Sequence, residues 1–388
     1  MLLFFGYSDE EKMIQRSVRE MLKEHNSTEY VRGFMEDFVI SKDMKKLLAQ
    51  QGLLGIIDLD GEEDKGMVNA IIVAQEAGRS LLAYPLLESL IGLAVLKKSK
   101  QHEQLVDDIE AGRKILTIAW ANVDAKARRS DGGFLINGTL REIAFAQQAD
   151  VILANVRISG YGETAEEEET LVVIDANHPA VTFLNSQSVD GTYPLYELNL
   201  ANYPLDKANL VGRAGMGSGH QNMKKMRQLG ALLLAAEMVG CSERALYETV
   251  QYTKQREQFG TLIGSFQALK HMAAEMYMKV ESGRVAVDYA AWAVDTDNEE
   301  AEEAIAIAKS YISAAGVEIC GNAIQMHGGI GFTWENDTHL FFKRMRRSAA
   351  LLGDAYAHRE KLATIAIDEF LRKGTETIPL RKVDYVEI

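Results

Sequence analysis

Arg256-Glu257-Gln258-Phe259-Gly260, followed by Ile263-Gly264-Ser265-Phe266-Gln267, falls where one long helical run ends and the next begins. Ahead of it Met226, Leu229, Leu232, Leu233 and Ala236 keep one face, and behind it Phe266, Leu269, Ala273, Met276 and Val280 keep another. Apolar residues at that spacing, in runs this long, predict bundle helices packed along their whole lengths. A third run, from about Glu299 to Met326, closes on Gln325-Met326-His327-Gly328-Gly329-Ile330-Gly331-Phe332, and a fourth extends from about Leu351 to Leu371 after a short Asp337–Arg347 segment. The planar cation of Arg256 can hold a diphosphate and Phe259 can cover an adenine; the same residues equally suit an interhelical turn with a salt-bridged arginine. The glycines after His327 let a backbone approach a ligand closely, or simply end a helix.

Outward from this bundle the texture changes. Between 114 and about 212, short β-favouring runs (Ile115–Trp120, Val151–Val156, Leu171–Ile174, Val181–Leu184) are separated by Asp131-Gly132-Gly133, Asn137-Gly138, Asp190-Gly191 and an acidic stretch, Glu166 to Glu169, that reads as a solvated loop. Residues 1 to about 111 are helical in pattern. Ser8 or Asp9 can cap a helix through Lys23, with Met13, Val18, Met21 and Leu22 on one face, and further stripes run over Met67–Ala77 and Leu86–Leu96. The division is 1–112 helical, 113–213 β and 214–388 helical bundle.

Composition narrows the chemistry. The 388 residues are 47% hydrophobic and 25% charged, with 5 Pro, and 42 basic against 56 acidic side chains give a formal charge of −14. This is the composition of an ordered globular protein of two or three domains. A nucleic acid partner is disfavoured, because phosphate binding needs clustered Lys and Arg. Cys241 and Cys320 sit in helical runs among apolar neighbours and read as buried free thiols of a reducing, cytoplasmic compartment. Met1-Leu2-Leu3-Phe4-Phe5 lacks the features of a signal peptide, and no stretch of uninterrupted apolar residues is long enough to predict a membrane span.

No zinc signature occurs among the eight scattered histidines, so no metal is expected. Gly217-Ser218-Gly219 lacks the strand a nucleophile elbow needs, and the glycine-rich stretches follow no strand of a βαβ unit.

Taken together and in this order within a helix–β–helix chain, the two bundle motifs resemble the acyl-CoA dehydrogenase family. The likeness runs from Ser8-Asp9-Glu10-Glu11 to Ala357-His358-Arg359-Glu360. It implies an N-terminal helical domain, a middle β-barrel and a C-terminal four-helix bundle, assembled as a tetramer with FAD between neighbouring subunits. It implies α,β-desaturation of an acyl-CoA thioester: a Glu removes the Cα proton, hydride leaves Cβ for the flavin, and electrons pass to an electron-transferring flavoprotein.

The resemblance is uneven. Counting from Gly331-Phe332, the family's Tyr-Glu-Gly-Thr stretch falls on Leu351-Leu352-Gly353-Asp354, so Leu352 stands at the position of the Glu; the alternative base position falls on Gly230. Asp354 is the nearest carboxylate and equally suits a helix cap. Flavin contacts made within the subunit are replaced, with Ala119-Trp120-Ala121-Asn122 for a Thr-Glu-Pro-Gly-like loop and Glu142-Ile143-Ala144 for Trp-Ile-Thr. Arg256, Phe259, Gln267, Gln325, Gly328 and Gly329, which in the family act on a neighbour's FAD, are intact. The pattern is similar to the smaller subunits of heteromeric acyl-CoA dehydrogenases acting on bulky steroid side chains or dicarboxylic acyl groups, where a partner supplies the Glu and the main flavin pocket. A self-sufficient homo-oligomer using Asp354 or Glu142 as base, and a flavin-free acyl-CoA-binding scaffold, are the alternatives. His327 and Trp292 read as packing residues. Lys343, Arg344, Arg346 and Arg347 read as a helix C-terminus paired with acidic neighbours, or as a CoA phosphate contact.

Overall fold

The computed structural model describes residues 6–61, 65–121, 124–130, 133–158, 168–212 and 218–373. Met1–Phe5, Asn122, Asp131, Gly132, Glu166, Glu167 and Gly217 lie outside them.

Among the described residues six helices come first: α1 (Asp9–His25), α2 (Thr28–Asp37), α3 (Lys42–Gln50), α4 (Met67–Ser80), α5 (Leu86–Ser99) and α6 (Glu103–Glu110). The first starts at Ser8, whose hydroxyl accepts the N–H of Glu11 while the Glu11 carboxylate accepts that of Ser8, so two orphan donors are satisfied at once. Val18, Met21 and Leu22 face the core, but Met13, at the same helical spacing, is exposed. Helix α4 is buried along nearly its whole length. It crosses α7 (Ser218–Thr253) at glycine contact: a Cβ on Gly78 would strike the backbone of Glu237, and one on Gly240 the backbone of Gln75.

Seven strands follow among the described residues: β1 (Leu116–Ile118), β2 (Lys126–Ser130), β3 (Gly133–Ala144), β4 (Val151–Ile158), β5 (Glu168–Asp175), β6 (Val181–Ser186) and β7 (Leu195–Leu205). They form one sheet in the order β1-β4-β2-β3-β7-β6, with β5 on the other side of β4. The sheet curls over its own core, with Phe134, Ile136, Ile152, Val156, Ile174 and Leu198 inside. Among the described residues its outer strands, β5 and β6, do not pair with each other. Asn137-Gly138, expected as a turn between strands, lies inside β3: the register against β7 shifts between Ile136 and Gly138, so the dipeptide marks a bulge. Gly138 sits at φ +133, where a Cβ would meet the backbone of Asp124 and Ala125. Glu168 and Glu169, the end of the expected acidic loop, begin β5.

The bundle comprises α7, α8 (Gln267–Asp295), α9 (Ala301–His327), α10 (Thr338–Ala350) and α11 (Ala355–Lys373). Between α7 and α8 a two-stranded hairpin, β8 (Glu257–Gln258) and β9 (Thr261–Leu262), replaces the expected simple turn. The last helix begins at Ala355, later than the apolar spacing from Leu351 suggests, because Leu352 (φ +59) and Gly353 (φ +96) are left-handed and break the run. The stretch Ala301–Phe332 is long and apolar enough, by length and composition, to cross a membrane; its most apolar 18 residues are mostly buried, as expected of the central helix of a bundle. Cys241 and Cys320 are buried and free.

Candidate active site

The α7–α8 hairpin turns on two residues, Phe259 (φ +55) and Gly260 (φ +76), both left-handed as a tight hairpin turn requires. A phenylalanine at such a position costs backbone strain, and Phe259 is 92% exposed, with the Phe266 ring edge-on at 6.2 Å. Arg256 and Gln267, on either side of the hairpin, are exposed. Among the described residues the Arg256 guanidinium has no carboxylate within ion-pair distance, so the salt-bridged turn is not what forms.

The end of α9 is brought against the end of α7 by Tyr252, whose ring stacks on His327 at 4.4 Å and whose hydroxyl donates to the His327 carbonyl at 3.4 Å. His327 itself is buried with Nδ1 2.7 Å from the Ala323 carbonyl, a packing residue of the helix end. Gln325, Gly328 and Gly329 are exposed beside it, with Phe332 and Trp334. A Cβ at Gly328 or Gly329 would meet nothing within 4 Å, so packing within the chain does not explain two glycines there. An exposed guanidinium with no ion pair among the described residues, an exposed ring and an open glycine backbone are groups that could hold a diphosphate and an adenine.

Two cavities lie between the bundle and the sheet. The larger, about 670 Å³, has Glu88, Trp120, Glu142, Leu195, Arg346 and Arg347 in its walls; the smaller, about 540 Å³, has Glu169, His220, Lys224, Glu302, His358 and Lys361. Arg227, Leu352 and Gly353 belong to both, so the cavities meet there. Leu352 stands directly over Gly230: a Cβ on that glycine would lie 2.7 Å from Leu352 Cδ1, 3.2 Å from Trp120 Cη2 and 3.5 Å from Ile91 Cδ1. The two positions that carry alternative bases in the resemblance therefore face each other across one apolar contact, and neither carries a carboxylate.

Asp354 lines neither cavity. Its Oδ1 accepts the N–H groups of Tyr356 (3.0 Å) and Ala357 (2.9 Å), which makes it the cap of α11. Glu142 is exposed, left-handed (φ +56) at the second irregularity of β3, and with Ala144 forms part of the larger cavity's wall. Trp120 is buried, with Nε1 on Glu88 Oε1 at 3.3 Å and its carbonyl accepting from Arg227 Nε at 3.1 Å. Where the family resemblance puts a flavin loop, this side chain packs into the chain's own interior.

Behind the larger cavity lies a charged network that the sequence does not reveal. Arg344 is buried between Asp190 (2.6 Å) and Glu237 (2.9 Å) and donates to Thr192 Oγ1 (2.6 Å). Tyr193 lies under Arg347 at 3.5 Å and donates its hydroxyl to Glu88 at 2.6 Å. Burial first, then the Glu88 charge, pushes that phenol far above its ordinary range. Arg344 and Arg347 thus pair inside the fold, Lys343 lies over the Trp334 ring at 4.6 Å, and only Arg346 of the cluster is exposed. Trp292 is half-buried against Tyr289. Glu88, Trp120 and Tyr193 come from three separated stretches, and no spacing in the chain signals their meeting.

Comparison with known proteins agrees with this architecture. Residues 217–366 match the family described as acyl-CoA dehydrogenase, C-terminal domain. The acyl-CoA dehydrogenase IpdE2 of Mycolicibacterium smegmatis is 30% identical over 367 residues, covering 94% of this chain and all of the relative. The caffeyl-CoA reductase-Etf complex subunit CarC of Acetobacterium woodii is 26% identical, covering 88% and 93%. Among solved structures, the ChsE4-ChsE5 complex from Mycobacterium tuberculosis superposes with a TM-score of 0.82 at 21% identity, covering 94% of this chain and 99% of that one. With its helical front, curled sheet and closing bundle, this chain belongs to the acyl-CoA dehydrogenase family of oxidoreductases.

Proposed function

We propose that this chain is the half-site subunit of a heteromeric acyl-CoA dehydrogenase, completing a partner's FAD site for α,β-desaturation of an acyl-CoA thioester. The observation that carries the reading is the contact of Leu352 with Gly230 where the two cavities meet: an apolar pair stands where a proton-accepting carboxylate is needed. The surface residues that would reach a neighbour's FAD are meanwhile intact and open. Members of this family bind FAD, which when bound supplies the hydride acceptor. In this chain Arg256 would hold the diphosphate, Phe259 would cover the adenine, and Gln267, Gln325, Gly328 and Gly329 would lie along it. The relatives named above include a two-protein complex and an Etf-associated subunit, which supports a hetero-oligomer that passes electrons to an electron-transferring flavoprotein.

One observation favours a second reading, a self-sufficient homo-oligomer with a relocated base: Glu142 is an exposed carboxylate in the wall of the larger cavity. The test is co-expression with a family member that carries Glu at the position of Leu352, followed by anaerobic addition of acyl-CoA. Bleaching that survives Glu142→Gln in this chain and disappears on replacing the partner's Glu supports the half-site. Bleaching by this chain alone, lost with Glu142→Gln, supports the homo-oligomer.

A further inference from the structure

Lys309, on α9, has no exposed surface, yet its ammonium group has four acceptors around it. Nζ lies 3.0 Å from Ser313 Oγ, 3.0 Å from the Ser348 carbonyl, 3.2 Å from that of Ala349 and 3.0 Å from that of Gly353. Two of these carbonyls end α10, where orphan acceptors and the helix dipole favour a cation. The third follows Leu352, a leucine held in the left-handed region. Such a conformation persists only where the surroundings over-determine it. Here they do: Lys309 ties the chain before and after Leu352, and His358 Nε2 meets the Leu352 carbonyl at 3.0 Å. The turn so held, Leu351 to Gly353, forms part of the wall of the larger cavity, and Leu352 and Gly353 part of the smaller.

We propose that Lys309 is a positioning residue for the acyl site: its Nζ clamps the α10–α11 turn onto α9 and fixes Leu352 between the two cavities. The clamp stands on geometry alone; only its effect on a ligand rests on the acyl-site reading above. An ammonium offers three N–H groups to these four acceptors and a neutral amine still offers two, so Nζ stays hydrogen-bonded to the turn in either protonation state. Burial pushes the Lys309 ammonium down to about 7, with Asp354 in the turn opposing that shift and Arg347 on α10 adding to it. On α11, His358 is lowered by burial first and by Lys309 as well.

The test is amide hydrogen exchange on the full chain at pH 6 and pH 9, corrected for intrinsic chemical rates. It is read at Leu351, bonded to the Arg347 carbonyl, and at Tyr356 and Ala357, bonded to Asp354. The expected result is about a tenfold gain of protection at these amides from pH 6 to pH 9, because a turn that opens lets Nζ take up a proton from water and that advantage of the open form fades as pH rises. Amides in the middle of α9 should show no such step. Lys309→Met should show protection below the wild-type value at pH 9, with no step between the two pH values. Wild-type protection that is flat across this range, or unchanged in Lys309→Met, overturns the clamp. In parallel, the affinity for S-octyl-CoA should follow the same pH step in the wild type and lose it in the variant. If S-octyl-CoA binds at neither pH, the acyl-site reading fails while exchange still decides the clamp.

Discussion

Leu352 carries two departures at once, an apolar side chain where the resemblance expects a carboxylate and a left-handed backbone that costs a leucine ~1–2 kcal/mol. The first was legible in the sequence by counting from Gly331-Phe332; the second was not, because no residue type at 351–354 except Gly353 announces it. Asp354 illustrates the same limit, since a carboxylate two residues past the expected base can be a base or a cap, and only its bonds to Tyr356 and Ala357 decide. Asp354→Ala should cost about 1 kcal/mol of stability in chemical denaturation, the usual worth of an N-cap. It should leave acyl-CoA-dependent flavin bleaching of the assembled protein unchanged, and a loss of bleaching with stability intact would return Asp354 to the chemistry. Lys309 makes a pH prediction whose sign follows from linkage. Its ordinary value of 10.5 applies to the unfolded chain and about 7 to the folded one, so between these the unfolded chain holds more protons and unfolding free energy rises with pH. Urea unfolding at pH 7 and pH 9 should show this rise, on the order of 1 kcal/mol per pH unit, in the wild type but not in Lys309→Met. Equal slopes would contradict the assignment.

At the scale of elements, the long helices were readable because a 3.6-residue apolar stripe is the same signal in sequence and in packing. The observed α9 differs from the expected span by a residue or two at its ends. What escaped were features made by single backbone angles: the bulge at Gly138 and the hairpin at Phe259-Gly260. The hairpin and the open glycines at the end of α9 yield a paired prediction. Phe259→Ala and Gly329→Ala should each change the stability of the chain by less than about 0.5 kcal/mol, since one side chain is exposed and the other position has open space. In the assembled protein Phe259→Ala should weaken FAD retention about tenfold, the scale of base–aromatic stacking, and Gly329→Ala should weaken it too. Flavin titration of the apo complex measures this. Unchanged retention in both variants would mean that this surface meets no dinucleotide.

At the scale of the whole molecule, the order of helical, β and helical parts was legible because each texture occupies a long, uninterrupted span. The buried network behind the larger cavity was not, since Glu88, Trp120, Tyr193, Glu237 and Arg344 are scattered over most of the chain and meet only through tertiary packing. That interior turns Trp120 and Leu352 inward at the meeting point of the cavities, while the end of the bundle turns Arg256 and Phe259 outward. A molecule arranged this way should need a neighbour for a working flavin site. The most direct test is FAD stoichiometry, from flavin absorbance against protein concentration, for the chain purified alone and with a Glu-bearing family member. The half-site account predicts a chain that is essentially flavin-free alone and holds flavin in the complex. One FAD per chain in the isolated protein, bleached by acyl-CoA, would contradict it.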